Sequence, residues 1–223
     1  MQYMSDIESH TICYLRDVLV TPSHADPDVT TFLTMWALEE YWHGEALAKV
    51  LEVHGVQMGT EHIRSVRKRL GWRDRIAPIN QAVLANIVGV DYVAVHMSWG
   101  AINEWTTHAA YTGLMEKEDN PVLSQLLERI MRQESRHVAF YASQAKERLA
   151  RSGKARKLTR FALKRFWEPV GTGVIPAAES NFMLRHLFTE KVCKQIDEKI
   201  DKLPGQHGLE LLGKSWRAGA AAA

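Results

Sequence analysis

The sequence predicts an all-α fold built around four long helices. Two observations carry this. Apolar residues recur at intervals of three and four through most of the chain, and no run alternates with period two as a half-buried strand would. Clusters of Gly, Pro and Asp then punctuate the periodic stretches at intervals longer than strands need. At 223 residues, 46% hydrophobic and 24% charged, the chain can bury a full core as one domain or as a domain with an appendage.

The elements follow in order. A first helix is expected from about Ser5 to Leu19, stopping at the turn-rich segment Thr21 to Asp28. Asp28 or Thr30 is the candidate cap of a second helix running to about His54, ahead of Gly55. A long crossover follows, with a basic piece from Ile63 to Leu70 and a break near Gly71 and Pro78. The third helix runs from about Gln81 to Glu116, and the Asp119-Asn120-Pro121 turn starts a fourth that ends near Arg151-Ser152-Gly153. Two short loops flanking one long connection is the topology of a ferritin-like bundle. The expected organisation is therefore residues 1–152 as the bundle, 153–217 as a helical extension packed on it, and 218–223 as a frayed tail.

Composition excludes several classes. A net charge of +2 argues against nucleic acid. Cys13 and Cys193 belong to no C-x-x-C pair, so a zinc ribbon cannot be built and both read as reduced core thiols. Apolar runs are broken by His, Asp or Glu short of the ~20 residues of a bilayer span. The segment from Met1 to His10 lacks the regions of a signal peptide, so the expected location is the cytoplasm.

The chemistry lies in two Glu-x-x-His pairs, Glu40 with His43 and Glu134 with His137, whose side chains leave one helix face together. With ten histidines in the chain, spacing alone is weak evidence. Three further features strengthen it. Glu40 shares a stripe with Leu33, Trp36, Leu47 and Leu51, and Glu134 with Leu127, Ile130, Val138 and Tyr141, so both pairs point into a core where an uncompensated carboxylate is prohibitive. The other two helices each offer one carboxylate on an apolar face. Glu8 aligns with Met4, Ile12, Leu15 and Leu19, whereas Asp6 aligns with the more polar His10, Cys13 and Asp17; Glu104 is the sole acid between Asp91 and Glu116. Finally, residues equidistant from a turn lie level in an antiparallel hairpin, because each helix rises ~1.5 Å per residue. The midpoint of Glu8 and Glu40 is His24, and that of Glu104 and Glu134 is Asp119; both fall in the connecting turns. Oxygen-rich donors with two imidazoles suit iron or manganese. Buried ion pairs without metal are the structural alternative.

These residues resemble the soluble acyl-carrier-protein desaturases. The stretch Trp36 to Lys49 is similar to that family's W-x-x-E-E-N-R-H-G-D-x-L-x-K at Trp36, Glu39, Glu40, His43, Gly44, Leu47 and Lys49. Gln133-Glu134-Ser135-Arg136-His137 is similar to its D-E-K-R-H, and Glu104 with Thr107 to its third-helix glutamate and threonine; the likeness covers about Glu8 to Ala150. The resemblance implies two iron ions, with manganese as a substitute, held by Glu8, Glu40, His43, Glu104, Glu134 and His137, and Thr107 beside the dioxygen site. It also implies oxidation of an acyl chain carried on an acyl carrier protein, electrons from a ferredoxin, and a homodimer. The departures are Tyr41-Trp42 where the family has Asn-Arg, and Gln133 where it has Asp.

Other readings of the same ligand set are an N-oxygenase or other small-metabolite oxidase, and iron storage. Tyr141, four residues after His137, is a candidate redox residue; Trp99, Trp105 and Tyr111 read as core, and His96 and His108 as hydrogen-bonded histidines. The run Lys154 to Trp167 reads as a basic amphipathic helix with Leu158, Phe161, Ala162 and Phe166 on its apolar face, either packed on the protein with its basic face solvated or docking an acidic partner or a membrane surface. A last helix is expected near Leu187 to Leu203.

Overall fold

The computed structural model describes residues 1–221, and among them the chain is all-helical with no strand. The helices are α1 Gln2–Leu19, α2 Pro27–Val53, α3 Thr60–Arg69, α4 Trp72–Val88, α5 Tyr92–Met115, α6 Pro121–Arg151, α7 Gly153–Phe166, α8 Ala177–Leu187, α9 Glu190–Asp201 and α10 Leu211–Ala221. They form two compact units, one of Met1–Val90 with Gly173–Ile175 and one of Asp91–Thr172 with the chain from Pro176 onward. The division thus falls at residue 90, where the crossover ends, and the chain after residue 152, apart from Gly173–Ile175, joins α5 and α6 in one unit.

In the first unit α1 and α2 are an antiparallel hairpin. Asp26 caps α2 by accepting hydrogen bonds from the backbone N–H of Asp28 and Val29, with Pro27 supplying a helical φ at the first position. The cap is therefore Asp26, and Asp28 and Thr30 lie inside the helix. Ser5 donates to the Gly44 carbonyl at 3.0 Å, and Tyr14 meets Trp36 edge to face at 5.9 Å, which sets the register about the turn at His24 and Ala25. The crossover folds back onto α1. His62 of α3 lies 2.5 Å from Asp6, Arg67 donates to the Ser9 carbonyl, Asp74 of α4 pairs with Arg16 at 3.6 Å, and Asn86 donates to the Val20 carbonyl.

Two expected boundaries differ. The helix continues through Pro78, which stands inside α4 and removes one backbone donor without ending it. The single helix expected from Gln81 to Glu116 is instead two, since Gly89 takes φ 76°, which a right-handed helix cannot accommodate. The run Asp74–Met115 across this break is long and apolar enough to cross a membrane by length and composition alone, contrary to the expectation from the sequence; 39% of its most apolar window is buried.

In the second unit α5 is the central helix, with α6, α7, α8 and α9 against it. Asn120 caps α6 as Asp26 caps α2, accepting from Val122 and Leu123 ahead of Pro121. Trp167 donates to Asn103, tying the end of α7 to α5. Asp197 of α9 accepts from the N–H groups of Leu212 and Gly213, which starts α10 and carries it to Ala221; residues 222–223 of the expected tail lie outside the described residues. α8 was not foreseen, and α9 ends at Asp201, short of Leu203.

The face of α7 also departs from expectation. Its buried residues are Ala155, Thr159 and Leu163, while Phe161 and Phe166 are exposed. Arg156 and Arg160 turn inward instead, capping the carbonyls of Leu149 and His207. On α1, Ile12 and Leu19 of the expected Glu8 stripe are likewise exposed.

Candidate metal centre

Each unit holds one triad of metal donors. On the α1–α2 hairpin, donor atoms of Glu8, Glu40 and His43 all lie within 4.8 Å of one another. On the α5–α6 hairpin the same holds for Glu104, Glu134 and His137. All six residues are at most 5% exposed. The i, i+3 spacing puts each Glu and His on one helix face: His43 Nδ1 is 3.2 Å from Glu40 Oε2, and His137 Nδ1 is 3.1 Å from Glu134 Oε2 and 3.8 Å from Glu104 Oε2.

A charge argument shows what these triads can do. Two carboxylates and one imidazole occupy each triad, so even a protonated histidine offsets only one negative charge. Carboxylates buried at this density need a cation, a proton or hydrogen-bond donors close by. A cation bound between the donors meets that need, and hard oxygen donors with imidazole nitrogen are a ligand set for divalent first-row metals. The buried Glu/His clusters can therefore hold a metal ion.

Gly44 lets the first triad form. A Cβ at this position would stand 2.9 Å from Ser9 Oγ and 3.3 Å from Glu8 Cβ, so α1 and α2 approach closely next to His43. We expect Gly44→Val to push the helices apart and weaken metal binding by about 10–100-fold although every ligand remains, a range typical of lost ligand support. Competitive titration of the metal against a chelator measures it; unchanged affinity would detach the glycine from the triad.

Asp6, the competing acid on α1, faces His62 instead of the triad. Thr107 is half-buried on α5, three residues after Glu104 and hence near the same helix face. Tyr41 and Trp42, both exposed, meet edge to face at 5.2 Å, and so occupy the surface of α2.

Beneath the second triad, the fully buried Tyr141 ring packs edge to face on His96, with centroids 6.0 Å apart. Burial drives the His96 imidazole pKa down to about 3, and the charge of Arg148 adds to the effect. Neutral in the folded protein, His96 binds a proton in the unfolded chain below its ordinary value of 6.5. Its contribution to stability is thus whole above about pH 6.5 and falls by about 1.4 kcal/mol per pH unit below that, down toward about pH 3. Urea unfolding at pH 5 and pH 7 should show a smaller loss on acidification for His96→Leu than for the wild type. An equal loss in both would remove His96 as a source.

Cys193 is buried, which pushes its thiol up to about 12 and leaves it unreactive. Comparison with known proteins gives no matching family model, curated protein or solved structure. The functional reading therefore rests on the donor chemistry and on the sequence pattern.

Proposed function

We propose that the two triads are the halves of one dinuclear iron centre in a ferritin-like bundle, and that the protein is a dioxygen-dependent oxidoreductase acting on an acyl chain. The observation that carries the reading is the repetition: two hairpins, each opened by an Asx-Pro cap, each with a carboxylate on its first helix and a Glu-x-x-His pair on its second, all buried. Glu8, Glu40 and His43 would hold one metal side and Glu104, Glu134 and His137 the other; manganese fits the same donors. The iron pair, when bound, supplies the redox capacity to use dioxygen against an unactivated C–H bond.

The chain's own residues fix the rest. Four carboxylates balance the charge of two divalent ions, so the loaded site is close to neutral and tolerates burial. Each histidine is held on the same turn as its glutamate, which limits its ring orientation. Thr107, one turn beyond Glu104, would by the resemblance supply a hydroxyl beside the dioxygen site to donate a hydrogen bond or relay a proton. Gln133 can hydrogen-bond but brings no charge where the similar desaturases carry Asp, so redox tuning and electron entry would differ from theirs. The acyl substrate on an acyl carrier protein and a ferredoxin as electron donor complete the proposal.

Reconstitution with ferrous iron, a ferredoxin-type reductant, dioxygen and an acyl-carrier-protein thioester tests it. Mass spectrometry should find the acyl chain lighter by two hydrogens, or heavier by one oxygen atom, and Thr107→Val should uncouple reductant consumption from product. Reductant oxidation with no change in any acyl chain would overturn the substrate class.

A further inference from the structure

Charge and apolar surface are segregated along α3 and α4. Between Thr60 and Val90 stand six Lys or Arg against two acids, Glu61 and Asp74, a balance of +4 in a chain whose net charge is only +2. All six cations lie at or before Arg75, and no charged residue follows until Asp91. The uncharged part of α4 is amphipathic. Ala85 is buried and Asp74 pairs with Arg16 of α1, so one face is fixed inward. On the other face Ile76, Ile79, Val83 and Ile87 recur one turn apart with Leu84 beside them, and Ile79, Leu84 and Ile87 are 63%, 65% and 77% exposed. This open apolar face is on the order of 800 Å², beyond the few hundred Å² of an ordinary monomer's largest patch. Trp72, 67% exposed, stands where the basic and apolar parts meet.

We propose that this surface docks on an anionic phospholipid bilayer, with α4 lying in the headgroup plane and its apolar face against the acyl chains. Charge complementarity selects this occupant. An interfacial helix buries its apolar face at the boundary between headgroups and acyl chains, and nearby Lys and Arg hold the negative headgroups. The cations are available for that role: Lys68, Arg69 and Arg75 are exposed and pair with no acid among the described residues, whereas Arg64 is held by Glu61. Trp72 has the amphipathic ring that settles at headgroup level, and it lies between the cations and the apolar stripe, as docking in this plane requires. The mode is docking and not spanning. The uncharged stretch from Ile76 to Val90 is fifteen residues, short of the ~20 a span needs, and one of its faces is held by α1. Beyond Gly89 the apolar run continues only as α5, whose residues are largely buried in the second unit.

Flotation of the full chain with vesicles tests the proposal. Vesicles of phosphatidylcholine with one quarter phosphatidylglycerol should carry the protein upward at low salt, and high salt should weaken the binding. Vesicles of phosphatidylcholine alone should bind it at least about 25-fold more weakly. Lys68→Gln with Arg69→Gln should cost about the same 25-fold, since each cation near an anionic surface strengthens binding about fivefold. Ile79→Glu with Leu84→Glu should abolish binding with unchanged helical circular dichroism; if that variant fails to fold, the substitutions at Lys68 and Arg69 decide alone. Val83→Cys in a Cys13→Ser background, labelled with an environment-sensitive fluorophore, should shift to the blue on the anionic vesicles. No binding to those vesicles at low salt, or binding unchanged by either folded pair of substitutions, would overturn the proposal. So would a label already buried in lipid-free protein that sediments as a dimer, because the face would then belong to a second copy. None of these readouts depends on metal, so they stand apart from the proposed chemistry.

Discussion

Glu134→Met will have opposite effects on stability with and without metal. Glu134 is fully buried, 3.1 Å from His137 Nδ1, and shares that imidazole with Glu104 at 3.8 Å. In metal-free protein, removing one of two crowded carboxylates takes a desolvated charge out of the interior and leaves Glu104 to pair with His137, so stability should rise instead of falling by about 3–5 kcal/mol, the cost of a broken buried pair. With metal the same substitution deletes a ligand, and affinity should fall by more than about 100-fold, since even supporting groups contribute 10–100-fold. Urea unfolding with chelator should move the midpoint up; unfolding with excess ferrous ion under argon should move it down relative to wild type. A variant less stable in both conditions would make Glu134 a structural ion-pair partner.

Gly100→Ala will destabilise the second unit and also disturb its triad. A Cβ at this position would lie 2.3 Å from two ring carbons of Tyr141, a side chain fully buried and flanked by His96 and Phe140. The ring has no open space to enter, so α6 must yield. Overpacking of this kind costs about 1–3 kcal/mol. Because Tyr141 is one turn from His137, a shift of α6 also carries Glu134 and His137 away from Glu104, and metal affinity should drop with stability. Tyr141→Leu placed in the Gly100→Ala background should restore more than half of the lost stability, a coupling that a double-mutant cycle quantifies. Additive effects would mean that the two positions do not meet.

The helical class, the hairpins and the composition of both triads were legible in the sequence because each depends on local spacing. A Glu-x-x-His pair sits on one helix face whatever surrounds it, and a level match about a turn follows from the rise of the helix. The preference for Glu8 over Asp6 rested on stripe composition, and the structure gives the physical counterpart, since Asp6 is engaged by His62. That partner lies 56 residues away in the crossover, beyond the reach of periodicity.

Where local rules mislead, tertiary contacts decide. Pro78 marks a helix end on average, yet α4 continues through it with both ends tied to α1, at Asp74 and Asn86. Phe161 and Phe166 belong on a buried face by hydropathy, but Arg156 and Arg160 find backbone carbonyls in their own unit and turn that side of α7 inward. Gly44 enters the sequence only as one match to the desaturase pattern and Gly100 enters no pattern; the space each leaves for a facing helix is seen only in the structure.

The central claim is that the two triads serve one metal pair. Electron paramagnetic resonance of protein loaded with ferric iron, alongside iron analysis, tests it most directly. Two coupled ferric ions have no net spin, so the account predicts about two irons per chain with no ferric signal, and a new mixed-valent signal on addition of one electron. A mononuclear high-spin ferric signal integrating to all of the bound iron would contradict it, leaving two separate sites or one.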